Sequence, residues 1–512
     1  MIPLLLAASL SMLPVRSTQA GSPRHILVTD RGVIGDGSTL NTAAINKAVD
    51  EIAQGAGGTL VFPAGCYLTG TIYLKSGVKL RLEKDATILG SPNLVDYPEN
   101  QPPRPSKTLE FGRYSLIYAD RQRDVGIEGV GTIDGQGDNP NFVKKDLKAL
   151  GWNARDVYLK RPFGICFAGC KGVSVRGVHL RNAGFWMEDY LDCDQVNVDG
   201  ILVQNLNDDA NNDGIDVDGS QNVTITNSEF EAADDGICLK SSYSQCRNVH
   251  ISHCKIQSTC NGIKLGTASY AGFSKIYASD CLIHDTYLAG IALEIVDGGR
   301  MDGVTVNRVR MDGIGAPIFM RIGDLGRRWL TEQVKQSPGS IRNISISNID
   351  ATVNQGPDSR PMACSITGLP GHDVENTDIR NVRIDDRRVP YSSKRRTFDD
   401  VQELPRAYPE YSMFGALPAC GFFLRHLTGV SLKDVSIQES DIENRYTVAI
   451  DDANRILLDR FSILGSKSIS QSIAIRNIHT AELSVRHLPD MGPEIIEDDG
   501  GNSNIKIKSP KL

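Results

Sequence analysis

The stretch "CKGVSVRGVHL" at residues 170–180 returns in altered form as "CDQVNVDGILV" at 193–203, "SQNVTITNSEF" at 220–230, "CRNVHISHCKI" at 246–256 and "FSKIYASDCLI" at 273–283. Successive copies begin 23, 27, 26 and 27 residues apart, a period typical of solenoids. Short alternating runs of Val, Ile and Leu, separated by Gly, Asn and Asp, indicate strands and turns. A coil of short strands cannot bury its apolar face alone, so the coils must stack. The sequence therefore predicts an all-β protein in which residues 21–512 form a single right-handed parallel β-helix.

The N-terminal part of the chain departs from this pattern. Residues 41–54, "NTAAINKAVDEIAQ", have helical apolar spacing and an Asn-Thr start able to cap a helix. We expect a short helix here that closes the end of the solenoid.

Residues 1–20 combine a short apolar core with a Thr-Gln-Ala ending, which predicts a secretory signal and a secreted or periplasmic protein.

Composition excludes several classes of protein. The 512 residues are 40% hydrophobic and 23% charged, as in a folded chain, and the net charge of −7 argues against a nucleic-acid partner. After the N-terminal segment, no apolar stretch is long enough to span a membrane. We expect a monomer without a cofactor or metal.

The 11 cysteines include two columns in the repeat, which we interpret as small buried side chains, with disulfides or a metal site as alternatives. The columns are Cys170, Cys193 and Cys246 with Ser220, and Cys254 with Cys281.

Carboxylates recur at one point of consecutive coils. The segments "NNDGIDVDG" (211–219), "ADDGICLKS" (233–241), "TCNGIKLGT" (259–267) and "YLAGIALEI" (287–295) superpose on a shared Gly-Ile. Adjacent strands lie ~4.8 Å apart, so Asp213 and Asp235 should be neighbours, with Asp234 beside them. Like charges this close raise at least one pKa, which yields a protonated acid next to an ionised base. Hydrolysis of a glycosidic bond needs both forms, because one carboxyl group protonates the leaving oxygen while another carboxylate activates water.

Two other interpretations of these acids compete. Residues 209–214 match the start of an EF-hand calcium loop, but the twelfth position is Ser220 where that loop needs a bidentate Glu. Asp and Asn also favour turns for purely local reasons, and this structural interpretation stays open.

At these residues the sequence resembles the polygalacturonase family, glycoside hydrolase family 28. The likeness covers nearly the whole chain after residue 20, including "DRGVIGDGSTLNTAAINKAV" (30–49), "GGTLVFPAGCYLTGTIYLKSGVKLRLEKDATILGS" (57–91) and "GTIDGQG" (131–137). The family's Asn-Thr-Asp motif corresponds to Asn211, Asn212 and Asp213, and its paired aspartates to Asp234 and Asp235. The resemblance implies a pectic substrate, cleaved at a galacturonide or a rhamnogalacturonan linkage, and an inverting reaction, with Asp234 as general acid and Asp213 and Asp235 activating water.

Two departures from the family pattern concern the grip on the substrate. Asn261 stands where the family has a His, and Ala292 and Glu294 stand where it has the Arg and Lys that hold the galacturonate carboxylate. Basic residues on the same face could form a rearranged grip. The candidate substrate-binding residues are therefore Asn211, Lys240, Asn261, Lys264, Glu294 and Arg321. Trp186, one coil before Asp213, is a candidate either for sugar binding or for packing.

Segments 93–115, 137–161, 324–340 and 385–421 interrupt the repeat as insertions of the kind that line a binding face. The last of them could close one end of a cleft and favour exo action. Two alternative functions remain: a pectate-lyase-type β-elimination with calcium and with Lys240 or Lys264 as base, and a carbohydrate-binding solenoid without catalysis.

Overall fold

The computed structural model describes residues 24–100, 113–142, 160–207, 211–336, 338–354, 363–388, 394, 396–439, 445–464, 473–488, 496–498 and 500–508. The proposed signal segment, residues 1–20, lies outside them. Within the described residues, one α-helix, α1 (Thr42–Ala53), and two short 3-10 helices (Val28–Arg31 and Leu94–Asp96) accompany 35 β-strands. No helix in these ranges is long and apolar enough to cross a membrane.

The strands follow one another along the chain in a regular order. The first twelve are β1 (Arg24–Leu27), β2 (Gly58–Phe62), β3 (Gly65–Thr69), β4 (Ile72–Tyr73), β5 (Val78–Leu82), β6 (Ala86–Gly90), β7 (Ser115–Asp120), β8 (Arg123–Gly129), β9 (Thr132–Asp134), β10 (Phe163–Ala168), β11 (Lys171–Arg176) and β12 (His179–Arg181). The next twelve are β13 (Glu188–Leu191), β14 (Asp194–Asp199), β15 (Leu202–Asn205), β16 (Ile215–Asp218), β17 (Gln221–Thr226), β18 (Glu229–Ala232), β19 (Ile237–Lys240), β20 (Cys246–Ser252), β21 (Lys255–Ser258), β22 (Ile263–Leu265), β23 (Phe273–His284) and β24 (Ala289–Ile295). The remainder are β25 (Arg300–Ile314), β26 (Ala316–Ile322), β27 (Ser340–Val353), β28 (Cys364–Thr367), β29 (Val374–Asp386), β30 (Ala419–Gln438), β31 (Tyr446–Leu464), β32 (Ile473–Ile478), β33 (Ala481–Leu488), β34 (Ile496–Asp498) and β35 (Ile505–Ile507).

These strands form the predicted right-handed parallel β-helix. In the central coils each strand pairs in parallel with the strand three places later, so that β10 pairs with β13 and β11 with β14. This produces three parallel sheets around one apolar core. The sheet that matters for function, here called the front sheet, runs through β7, β10, β13, β16, β19, β22, β24, β26 and β28.

Left-handed residues near the start of strands explain some of the polar residues of the repeat. Asn222 and Asn248 have φ of 56° and 53°, a left-handed conformation that Asn tolerates better than most residues. The Asn248 amide also donates to Asn222 Oδ1 at 2.7 Å, which links one coil to the next. In the strands, apolar residues stack in register inside the coil: Val196 on Val223 and Val223 on Val249, all buried.

The predicted N-terminal helix is present, but the predicted cap is wrong. Helix α1 packs Ile45, Val49 and Ile52 onto the first coils. Asn41 makes no side-chain cap bond; its carboxamide instead accepts from Ile34 N–H at 2.9 Å and donates to the Ile34 carbonyl at 2.9 Å. The tertiary contact to the preceding loop thus takes the group that could have capped the helix.

The cysteine columns are buried in the way the repeat predicts. All 11 cysteines lie within the described residues as thiols, and none joins a disulfide there. Ser220 occupies the position between Cys193 and Cys246, and its hydroxyl accepts from Cys193 N–H at 2.7 Å. The column is therefore a ladder of small side chains that fills the corner of the coil.

Candidate active site

The three predicted aspartates meet at the amino-terminal ends of β16 and β19. Register pairs Ile215 with Ile237, and Gly214 N–H donates to the Asp235 carbonyl at 2.9 Å, which sets Asp213 beside Asp235. A Cβ on Gly214 would lie 2.5 Å from the carbonyl oxygen of Gly236, so the shared glycine is required by the close approach of two coils. The prediction of a common column is confirmed.

Asp234 is held by backbone amides at the edge of the site. Its Oδ2 accepts from Asn211 N–H at 2.8 Å and its Oδ1 from Asp235 N–H at 2.9 Å. Asn211 provides that amide by adopting a left-handed φ of 66°. Asp234 is half-buried, whereas Asp213 and Asp235 are buried. The carboxylate oxygens of Asp234 and Asp235 lie within 4.8 Å of one another.

Asp235 is held in its ionised form. The Lys264 ammonium lies 3.0 Å from its Oδ2, and Asn261 donates its side-chain amide to Oδ1 at 2.9 Å. Burial by itself would raise the pKa of Asp235, but the positive charges of Lys264 and Lys240 and the Asn261 hydrogen bond outweigh it and leave the pKa below its ordinary value. Asn261, which was predicted to bind substrate, therefore contacts Asp235 and helps to keep that carboxylate ionised.

Asp213 has the opposite environment. Its Oδ1 is buried and has no hydrogen-bond partner among the described residues. Burial raises the pKa of Asp213 well above its ordinary value, and the nearby charges of Asp216 and Asp234 raise it further. One site thus contains a buried carboxyl that favours its proton and a buried carboxylate that has lost it, which is the pairing expected of acid–base chemistry.

Lys240 lies between the buried carboxyl group of Asp216 and the ring of Trp186. Its ammonium lies 3.2 Å from Asp216 Oδ1, 3.2 Å from Cys238 Sγ and 4.6 Å from the centre of the Trp186 ring. Asp216 is fully buried, and burial raises its pKa to about 7 in spite of Lys240. The repeat places Asp216 on the outward row, but its role as the partner of Lys240 depends on this side-chain geometry and was not predicted.

A cleft of about 250 Å³ opens over these residues. It brings together the three aspartates with Asn211, Lys240 and Lys264, as predicted. The remaining lining residues are Phe185, Trp186, Thr267, Ala268, Arg327 and Tyr408. Arg327 and Tyr408 come from the insertions at 324–340 and 385–421. The sequence marks both segments as insertions but gives no signal that selects these two residues.

Three predicted substrate-binding residues, Asn261, Glu294 and Arg321, do not line the cleft. Asn261 donates to Asp235 Oδ1 instead. Glu294 is buried, and neither carboxylate oxygen has a hydrogen-bond partner among the described residues. Burial raises its pKa to about 8, in spite of Lys264. Arg321 is also buried and donates to the Gly368 carbonyl at 2.9 Å and to the Glu403 carbonyl at 2.5 Å. Arg321 therefore fastens the insertion to the front sheet.

The insertion covers the front sheet next to the cleft. Tyr411 packs on Ala292 and Phe319, which are outward residues of β24 and β26. At the edge of this cover, the Tyr408 hydroxyl lies 2.7 Å from Thr267 Oγ1, within hydrogen-bond distance. The cleft therefore ends at Tyr408, because the insertion covers the outward face of the following strands, β24 and β26.

Comparison with known proteins identifies the class to which this fold and site belong. Residues 58–397 match the family model described as Glycosyl hydrolases family 28, and the chain belongs to that family. It is a glycoside hydrolase with the right-handed parallel β-helix that the repeat predicts.

Individual relatives carry more specific names. The chain is 25% identical over 409 residues to an exo-poly-alpha-D-galacturonosidase of Dickeya chrysanthemi, covering 70% of this chain and 67% of that protein. It is 28% identical over 299 residues to an endo-polygalacturonase of Pectobacterium carotovorum subsp. carotovorum, covering 55% and 72%. The solved family 28 exopolygalacturonase of Yersinia enterocolitica shares the fold, with a TM-score of 0.61 and 19% identity over 92% of this chain and 79% of that one.

Proposed function

We propose that the protein hydrolyses an α-glycosidic bond of a galacturonide in pectic poly- or oligosaccharides, with inversion at the anomeric carbon. The observation that carries the proposal is the contrast between two neighbouring carboxyl groups in one cleft: Asp235 is ion-paired and ionised, whereas Asp213 is buried with an unbonded oxygen. Family membership and the names of the relatives support a galacturonide as substrate.

The roles follow from how each carboxyl group is held. Asp235, kept ionised by Lys264, is suited to take a proton from the attacking water. Burial and the nearby charges of Asp216 and Asp234 raise the pKa of Asp213, so Asp213 keeps a proton beside Asp234. Asp234 is the more exposed member of that pair and is suited to deliver the proton to the leaving oxygen. Asp213 then joins Asp235 in orienting the water.

The environment of the lysines disfavours the β-elimination alternative. A lysine acting as proton abstractor must be neutral near the working pH. Lys240 and Lys264 are each within 3.2 Å of a carboxylate. Although their burial lowers the pKa, the surrounding negative groups raise the pKa of both ammoniums well above its ordinary value. Both side chains therefore stay protonated.

The closed end at Tyr408 supports action on the end of a chain or on a short oligosaccharide. A long polysaccharide would need the outward face of β24 and β26 to continue the cleft, and Tyr411 and its neighbours in the insertion occupy that face. Export by the segment at residues 1–20 would place such an enzyme where pectic fragments are met, and forms part of the proposal.

Product analysis tests the proposed function. The purified protein is incubated with polygalacturonate, rhamnogalacturonan and short oligogalacturonides, with an Asp234→Asn variant as blank. We expect new reducing ends, no product absorbing in the ultraviolet, and an initial product of inverted anomeric configuration by proton NMR. Release of monomer or dimer from the first minutes indicates exo action. An ultraviolet-absorbing product, or equal activity of the variant, would overturn the proposal.

A further inference from the structure

Three basic side chains line the described part of the cleft, and each is paired with a buried carboxylate, but two of them are almost wholly buried themselves. Lys240 pairs with Asp216 at 3.2 Å, and Lys264 with Asp235 at 3.0 Å. Their side chains are only 9% and 4% exposed. A substrate carboxylate that bound either ammonium would have to compete with an existing buried ion pair.

Arg327 has a different setting. Its side chain is 32% exposed and lines the cleft. The guanidinium donates from Nε to Asp297 Oδ1 and from Nη2 to Asp297 Oδ2, both at 3.0 Å, and it lies 4.9 Å from the centre of the Trp329 ring. The backbone N–H of Arg327 also donates to Asp297 Oδ1, at 2.9 Å. These contacts hold the guanidinium in a fixed orientation at the cleft.

The carboxylate behind Arg327 is itself rigidly held. Asp297 is fully buried and accepts from the backbone N–H of Ser269 at 3.1 Å and from its hydroxyl at 3.3 Å. Ser269 follows Thr267 and Ala268, which form the cleft wall beside Tyr408. The arginine is therefore supported from the front-sheet coil, although it belongs to an insertion.

We propose that Arg327 is the residue that recognises the carboxylate of an acidic sugar in the cleft and gives the enzyme its preference for galacturonate over a neutral or esterified sugar. This inference rests on the proposed function and adds a specificity residue to it. Arginine suits the task because its planar guanidinium binds carboxylates in fixed geometry. Because Asp297 and Trp329 have already ordered the side chain, substrate binding costs little further side-chain entropy.

The proposal also fits the composition of β24. This strand, with the sequence AGIALEI, contributes no basic side chain, and its one charged residue is Glu294. Arg327 supplies a cation from a later segment of the chain, at residues 324–340. The grip on the substrate thus comes from a different element.

The test compares an acidic substrate with its ester. KM and kcat are measured for wild type, Arg327→Gln and Arg327→Lys on an oligogalacturonide and on its methyl ester. For Arg327→Gln we expect KM on the acid to rise at least 10-fold, with KM on the ester changed less than twofold. Arg327→Lys keeps the charge without the planar fork and should give an intermediate rise.

Matched controls separate this role from a structural one. Arg308→Gln removes an exposed arginine that is also bidentate to an aspartate, Asp280, but does not line the cleft; its kinetics should equal those of wild type. Thermal unfolding is measured for every variant, and Arg327→Lys carries the test if Arg327→Gln does not fold. An acid-to-ester KM ratio that stays at the wild-type value in the Arg327 variants overturns the inference while leaving the proposed function intact. A wild-type protein that cleaves neither substrate overturns both.

Discussion

The Lys264 ammonium lies 3.0 Å from Asp235 Oδ2, and both side chains are buried at the floor of the cleft. Lys264 belongs to β22 and Asp235 precedes β19, so the ion pair joins two successive coils. Lys264, which was predicted to bind substrate, is thus paired with the carboxylate that we propose as the general base. The positive charge stabilises the ionised form of Asp235, which is the form a general base needs.

Replacing Lys264 with Met should therefore disable the base at acidic pH. Without the ammonium, burial raises the pKa of Asp235, whose wild-type value is held low by Lys264, Lys240 and Asn261. We expect the acidic limb of the kcat/KM profile to move up by about 1–3 pH units, the range for an Asp that loses a neighbouring cation. Lys264→Arg should keep most of the wild-type profile. Lys255→Met, which breaks an exposed pair with Glu229, is the control. An unchanged acidic limb in Lys264→Met would show that the pair does not set the ionisation of Asp235.

The two buried aspartates should respond in opposite ways to neutralisation. Both Asp213→Asn and Asp235→Asn should lower kcat by about 10²–10⁴-fold, as expected for loss of an acid–base group. Asp213→Asn should unfold at or above the wild-type temperature, because burial already raises the pKa of Asp213 and penalises its charge. Asp235→Asn leaves Lys264 buried without its counter-charge and should cost about 3–5 kcal/mol of folding stability. Activity assays measure kcat, and urea unfolding at pH 7 measures the stability of each variant. Equal stability of the two variants would contradict the proposal that Asp213 is protonated and Asp235 ionised.

The repeat allowed the coil architecture and the aspartate column to be predicted because both depend on local periodicity. In-register stacking of parallel strands carries Asp213 next to Asp235 once the Gly-Ile positions are aligned. The side-chain partners could not be predicted in the same way. Arg321 binds the carbonyl of Glu403, which lies 82 residues further along the chain, and no pattern within a coil encodes that contact. For the same reason Arg327 and Tyr408 could be assigned only to insertions.

Arg321 should be essential for the position of the insertion. Its guanidinium donates to the carbonyls of Gly368 and Glu403 and lies 5.3 Å from the centre of the Phe414 ring. Arg321→Met leaves these buried carbonyls unpaired and should lower stability by about 3 kcal/mol. We also expect faster proteolysis between residues 396 and 418 and a raised KM, because Tyr408 at the cleft belongs to this segment. Mass spectrometry of the fragments locates the cuts. Arg342→Met, which breaks a half-exposed pair with Asp302, should show neither effect.

Glu294 should make the stability of the protein depend on pH. Burial raises its pKa from 4.5 to about 8, so the folded protein binds a proton that the unfolded chain releases above about pH 4.5. The stabilisation from this proton is complete below pH 4.5 and is lost as the pH rises towards 8. Relative to Glu294→Gln, which does not titrate, wild type should lose about 1 kcal/mol per pH unit across this window and no more above it. Urea unfolding of both proteins from pH 4 to 9 measures the difference in their free energies of unfolding. The contributions of the other titrating groups cancel in this difference. Glu128→Gln at an exposed pair with Arg81 is the control. A constant difference between wild type and Glu294→Gln would mean that Glu294 is ionised in the folded protein.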